Sequence, residues 1–516
     1  MRRTTRPEFA NDENAVRELR HGSSSASVNA ARLTTNSRLP LIKGGLCNNF
    51  KKKSQMNHPD LTTLTFNGAN GRDEFRRVQV AEKVIQLLTA PIDVSPMVID
   101  GDWGTGKTEF CHKLLNKFRA EHDHHRLLYV DAFQADHADN PLLTVLSGVL
   151  SLLPEGDQKN ALRRKAMPVA RFAVATVGKA VLSHVLKQNT GDLADGLEES
   201  LQEASKQVVD ASVKALLKDH EEAQKNLQAL QATLESIAKD APIVIFIDEL
   251  DRCRPDFAVQ MLEVIKHTFN VEGLQFVLVT NTRQLKAAIN HRYGHQVDAQ
   301  RYLDKFLKFS FRLPDFVLGR QGYVSDGVPV SVEHFTRLLG ISESLNQTDL
   351  TEQRNGVSEF AKELIRHRAL SLREVETFLR YLEIYHQLSK GLASNVTWGY
   401  QQLRIFGVFV FCFHPNISDS ILSNRADADV IAGLLGVSGM PDIKSDRFRS
   451  SHLQTLAVML AQACAFNSAK YVPTNDQVEL KGYWDHTKQQ YFGWRGLDDL
   501  QEHVKQTILC LQLGSA

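Results

Sequence analysis

The chain of 516 residues is 42% hydrophobic and 23% charged, and its 61 Lys and Arg balance 60 Asp and Glu to a formal charge of +1. This is the composition of an ordinary globular protein of roughly two to four domains, without the basic excess of a nucleic-acid binder. Six cysteines with no C-x-x-C pair exclude a disulfide framework or a zinc knuckle and fit a reducing, cytoplasmic setting, and no run approaches the ~18 apolar residues of a membrane span.

Residues 1–55 are rich in Arg, Ser, Asn and Thr and lack periodicity, so a disordered extension is expected. They have no apolar signal core, and Glu8, Asp12 and Glu13 argue against a transit peptide. Met56, just before the first patterned sequence, is expected to be an alternative start. An amphipathic helix is predicted over Asp73–Leu88, broken by Pro91 and Pro96.

The apolar run Met97-Val-Ile then leads into Asp100-Gly101-Asp102-Trp103-Gly104-Thr105-Gly106-Lys107-Thr108-Glu109, followed by helical periodicity at Phe110, Leu114, Leu115 and Phe118. This is the phosphate-loop pattern G-x-x-x-x-G-K-[ST] in a strand–loop–helix setting. Gly101, Gly104 and Gly106 are expected to take positive φ and let backbone N–H groups approach an anion. Lys107 is expected on the β and γ phosphates of ATP, and Thr108 on Mg2+.

The run His122-Asp-His124-His125 falls at a helix–strand junction with no further ligand nearby, and a solvated loop is expected there rather than a metal site. Leu127–Asp131 reads as a buried parallel strand, and Asn140-Pro141 opens another helix. Strands alternating with helices predict an α/β sheet with its ligand at the strand C-terminal ends. Residues 153–240 read as a helical insertion. A heptad through Val209, Val213, Leu216, His220, Ala223, Leu227, Leu230, Leu234 and Ile237 suits either a coiled-coil arm for a partner or a hairpin folded onto its own domain. The basic, apolar segment Arg163–Lys187 suits a membrane surface, although packing against the heptad helix is the expected outcome.

Pro242-Ile-Val-Ile-Phe-Ile-Asp248-Glu249 supplies the companion motif: a buried strand with Asp248 at its end for Mg2+ and Glu249 placed to polarise an attacking water. The strand Leu274–Val279 ends in Thr280-Asn281, and Asn281 is the candidate for a residue beside the γ-phosphate. No Asn-Lys-x-Asp element follows, which favours adenine over guanine. These motifs, with Val-Asp131-Ala-Phe-Gln-Ala-Asp136, Leu-Asp251-Arg252-Cys253-Arg-Pro255 and Arg301-Tyr-Leu-Asp304-Lys305-Phe306, resemble the KAP family of P-loop NTPases over roughly residues 73–315.

The resemblance implies an α/β P-loop core in residues 56–152 and 241–330, with an extra strand between the two Walker strands and a catalytic glutamate. It implies Mg2+-dependent ATP binding and hydrolysis, and through the family's link to phage exclusion an antiphage role. Many family members carry transmembrane helices in the insertion, whereas this insertion is polar. Trp103 is expected to brace the loop. Arg252 is open between pairing with Asp251 and approaching a neighbouring site, and Arg292 and Arg301 are candidates for an arginine acting in trans.

Residues 331–516 turn helical, with segments near 331–340, 356–368, 371–389, 399–413 and 451–466. Ser371-Leu-Arg373-Glu374 carries a capping box. Arg373 resembles a lid arginine that reaches the γ-phosphate, with a surface ion pair as the alternative. The aromatics Tyr483, Trp484, Tyr491, Phe492 and Trp494 suit a small core or partner surface better than base stacking. The expected partners are proteins, either further copies of this chain or products of neighbouring genes.

Overall fold

The computed structural model describes residues 63–67, 71–138, 140–169, 222–317, 327–441, 451–493 and 499–514. The N-terminal extension, heptad residues 209–221, residues 170–187 of the basic segment, and Trp494 lie outside these described residues.

Five parallel strands form the sheet. They are β1 (Met97–Asp100), β2 (Arg126–Asp131), β3 (Ile243–Asp248), β4 (Leu274–Thr280) and β5 (Phe309–Arg312), in the order β2-β3-β4-β1-β5. The expected extra strand is β4, which separates the phosphate-loop strand β1 from the acidic strand β3. Every residue of β3 is buried, which explains a continuous apolar run in place of alternation. Its side chains still divide by parity. Ile243, Ile245 and Ile247 join one apolar layer, and Val244 and Phe246 join the other.

On the Val244 face lie α1 (Val78–Thr89) and α2 (Lys107–Glu121). The first begins five residues later than its periodicity suggests, because Asp73 caps it: its carboxylate accepts from the N–H groups of Arg77 (2.7 Å) and Val78 (3.0 Å). On the opposite face lie α3 (Pro141–Leu152), capped by Asn140, and α4 (Pro255–Thr268). The helical residues 222–240 join them there. Leu230, Leu234 and Ile237 are buried in this same layer, so the described half of the heptad packs onto its own domain.

The C-terminal half is a helical body with one apolar interior. Its main helices are α5 (Val330–Ile341), α6 (Val357–His367), α7 (Leu372–Ser389), α8 (Trp398–Phe413), α9 (His452–Gln462), α10 (Val478–Phe492) and α11 (Leu500–Leu511). The aromatics of α10 serve this interior: Trp484, Tyr491 and Phe492 are buried in it. No helix among the described residues is long and apolar enough to cross a membrane, and the described cysteines are free thiols.

Candidate functional site

Strand register gathers the polar residues along one edge. Asp131 pairs with Asp248, Asp248 with Val279, and Asp100 with Thr280, so the acidic ends of β2 and β3 finish side by side and that of β1 finishes on the same edge, one strand away. Between that edge and the first turn of α7 lies a cleft of about 270 Å3.

The phosphate loop turns through positive φ at Gly104 (74°) and Gly106 (79°). Gly101, expected to do the same, is required for a different reason. A Cβ there would stand 2.9 Å from Thr105 Oγ1 and 3.3 Å from Lys107 Cδ, so the constraint is close approach. The Lys107 ammonium folds under the loop and donates to the carbonyls of Gly101 (2.6 Å) and Asp102 (3.0 Å). Burial lowers its pKa, against the pull of Asp251, Asp248, Asp100 and Asp102. Trp103 lines the cleft, its indole N–H donating to Asp251 at 2.5 Å, and Asp251 in turn accepts from Thr280 at 3.0 Å. Asp102 holds Arg312 at 2.8 Å, and Glu109 in the first turn of α2 holds Lys113 at 2.7 Å.

Asp248 is 1% exposed, and burial pushes its carboxyl up to about 6. It accepts hydrogen bonds from the Thr108 hydroxyl, from the Glu249 N–H at 2.7 Å and from Tyr129 Oη at 3.2 Å. The phosphate-loop threonine and the strand-end aspartate therefore meet at one point. Glu249 sits in the left-handed region at φ 60°, a conformation that costs a non-glycine residue ~1–2 kcal/mol and is kept where the surroundings impose it. That turn aims its carboxylate into the cleft. Arg252 holds it there at 2.8 Å, rather than pairing with Asp251. Burial raises the Glu249 carboxyl; Arg252 and Arg373 oppose that shift, and Asp131 and Asp251 add to it.

The helical body closes the cleft. The Leu372 N–H donates to Gly104 O at 2.9 Å, and the Ser371–Glu374 capping box starts α7 directly over the loop. This places Arg373 on the cleft wall, within electrostatic reach of Glu249.

A match to the KAP family P-loop domain spans residues 77–388. The chain belongs to the KAP family. The matched region of the KAP chain runs past the sheet, through α5 and α6 into α7, so the lid helix falls inside it, beyond the 73–315 legible from motifs. The chain is also similar to the phage T7 exclusion protein of Escherichia coli (strain K12), 23% identical over 265 residues, or 47% of this chain and 33% of that protein. It thus spans about a third of the length of that curated relative. Among solved structures, the ORC2 protein of Aeropyrum pernix (ADPNP-ADP complexes) aligns over 85% of this chain and 95% of that one, at 14% identity and a TM-score of 0.30.

Not every expected residue of the KAP chain faces the cleft. Asn281 caps the helix Thr282–Tyr293, accepting from the N–H groups of Arg283 (3.0 Å) and Gln284 (3.4 Å), and its amide reaches Asp102 at 3.3 Å. The cleft wall does not include it. Arg292 and Arg301 are in ion pairs with Asp256 (2.6 Å) and Asp298 (3.3 Å). The family motif ending in Asp136 has a structural job: Asp136 binds the Arg254 side chain at 3.0 Å and its backbone N–H at 3.0 Å, tying the end of β2 to the acidic loop.

Two groups escaped the sequence. Arg77, 4% exposed, donates to Thr105 O (3.0 Å) and Pro314 O (2.9 Å) and so pins the loop from below. Burial brings its pKa down to about 10. Glu74, whose side chain is also buried, holds His334 (2.7 Å) and Arg337 (2.7 Å) of α5, while His334 reaches Glu376 of α7 at 3.2 Å. Both groups join segments far apart in the chain, and no local spacing announces them.

Proposed function

We propose that the chain is a Mg2+-dependent ATPase of KAP type that uses ATP binding and hydrolysis as a conformational or assembly switch. The observation that carries this reading is the meeting of Thr108 with Asp248 beside a cleft-facing Glu249, beneath a lid that contributes Arg373. The residues fit the groups involved. Burial pushes the Asp248 carboxyl up to about 6 even with the Lys107 ammonium in electrostatic reach, and Mg2+ on Thr108 and Asp248 would add positive charge there while neutralising phosphate oxygens. Gly104 and Gly106 leave the loop backbone uncovered for the phosphates. Lys107, freed from the Gly101 and Asp102 carbonyls, has the reach and charge to hold the β and γ oxygens.

Glu249 is the group to orient and deprotonate a water against the γ-phosphate. Its raised pKa suits a base, and its ion pair with Arg252 must loosen for it to act. Arg373 would meet charge on the γ-phosphate from the lid side. The absence of a guanine-reading element favours ATP. The relative's name, a phage exclusion protein, supports assigning the switch to antiphage defence.

Glu249→Gln tests turnover. It is expected to lower phosphate release by ~100-fold or more while ATP affinity stays within a few-fold of wild type; wild-type protein that binds ATP and releases no phosphate would overturn the assignment. That result would favour the second reading, an ATP-binding scaffold without turnover. The Glu249–Arg252 ion pair is the observation on that side, since a carboxylate held by a guanidinium is a poor base.

A further inference from the structure

The helix that begins at Lys107 ends, at the opposite end of the strands and just before β2, in a histidine-rich turn. His122 closes α2 by donating its N–H to Phe118 O at 2.9 Å, and the N–H of His125 returns to His122 O at 3.1 Å. That tight turn brings three imidazoles together. Ring centroids are 4.1 Å apart for His124 and His125, 5.8 Å for His122 and His125, and 6.1 Å for His122 and His124. One donor nitrogen from each lies within 4.8 Å of the others.

The turn lies at the surface, with His124 exposed and His122 and His125 half-buried, so the solvated loop expected from the sequence stands, but its histidines are clustered. His125 packs against Phe118 at 5.2 Å, and its Nδ1 is buried with no hydrogen-bond partner. Buried polar nitrogens are almost always satisfied, so a partner is expected at this one. Among the described residues the grouped donors are His122, His124 and His125; Asp123 of the same turn is not one of them.

We propose that His122, His124 and His125 bind one first-row transition-metal ion of the Zn2+ type, with solvent completing the coordination. Imidazole donors select Zn2+, Ni2+ or Cu2+ over Mg2+ and Ca2+, which separates this site chemically from the carboxylate of Asp248. Zinc–nitrogen bonds of about 2.0–2.1 Å put tetrahedral donors roughly 3.3 Å apart, so the cluster must tighten by only about 1.5 Å. His124 is exposed and free to turn inward. A bound ion would pin the C-terminal end of the helix whose first residues are Lys107 and Thr108. The site does not depend on ATP turnover, and its test is independent of that reading.

The test is calorimetric titration of Zn2+ into the untagged full chain without nucleotide, in excess Mg2+ so that Asp248 does not compete. One equivalent is expected to bind with a Kd of about 10 µM or tighter, and Co2+ is expected to give the visible absorption of an imidazole-ligated ion. His124→Asn and His122→Asn, each with wild-type circular dichroism, are expected to weaken binding at least ~10-fold and to remove the rise in Tm that Zn2+ gives the wild type. Failure of the wild type to bind saturably at about 100 µM Zn2+, or wild-type affinity in either variant, overturns the proposal.

Discussion

The edge of the sheet and the interior of the helical body are built on opposite terms. At the sheet edge a carboxylate is sealed at 1% exposure, a glutamate is held at positive φ, and a lysine and an arginine are buried. In the helical body, by contrast, long amphipathic helices start at ordinary caps and fill one apolar interior. Phe378, fully buried, sits there between Phe335, Phe409 and Phe413 at ring distances of 6.4, 5.9 and 6.3 Å. The contrast teaches where the molecule spends its stability. The packed half is what allows the edge to stay strained, and the strain lies where phosphate and metal would relieve it.

Truncation in the packed half should give the largest effect. Phe378→Ala is expected to destabilise by ~3–5 kcal/mol, measured by urea unfolding, and a value near zero would break the contrast. Leu234→Ala extends the test to the insertion. If residues 222–240 belong to the domain interior, the loss is ~2–5 kcal/mol; an unchanged midpoint would return that helix to the role of a free arm.

Asp248→Asn should go the other way and stabilise the nucleotide-free protein. The sign follows from its raised pKa: between about 4 and about 6 the native state holds a proton that the unfolded chain releases, so stability falls as pH rises through that window and stays lower above it. Removing the charge is expected to restore on the order of 2–3 kcal/mol at neutral pH, with loss of Mg2+-dependent nucleotide binding. A drop in Tm at pH 7.5 would contradict it.

The smallest effect concerns the tether between Glu74, His334 and Glu376. Burial lowers the His334 pKa, but the bonds to Glu376 and Glu74 outweigh it, for a net rise. A raised histidine contributes stability that is fully present below its unfolded value near 6.5 and is lost as pH rises through its folded value. His334→Gln should therefore cost about 1 kcal/mol at pH 6 and less at pH 8.5 in paired thermal melts; equal losses at both would show that the tether is uncharged.

Much of this was readable from the chain, because strand ends and phosphate loops are local. The Gly101–Thr108 pattern fixed the turn, the apolar run before Asp248 fixed a central strand, and the capping box at Ser371 fixed where α7 begins. What was less legible has a physical reason. Asn281 follows a strand like a phosphate sensor, and the same side chain is also a good N-cap, a role it takes here. Arg252 could not be assigned to Glu249 without knowing that Glu249 is left-handed. Arg77 and Glu74 act across the fold, and the three histidines converge only because the helix end turns back on itself.

The hydrogen bond from Leu372 to Gly104 has a mechanical corollary. It fastens one end of an 18-residue rod to the phosphate loop, and at 1.5 Å per residue that rod is about 27 Å long. A shift of a few tenths of an ångström at Gly104, enlarged along such a lever, would arrive at the distal surface as a displacement that another molecule could feel.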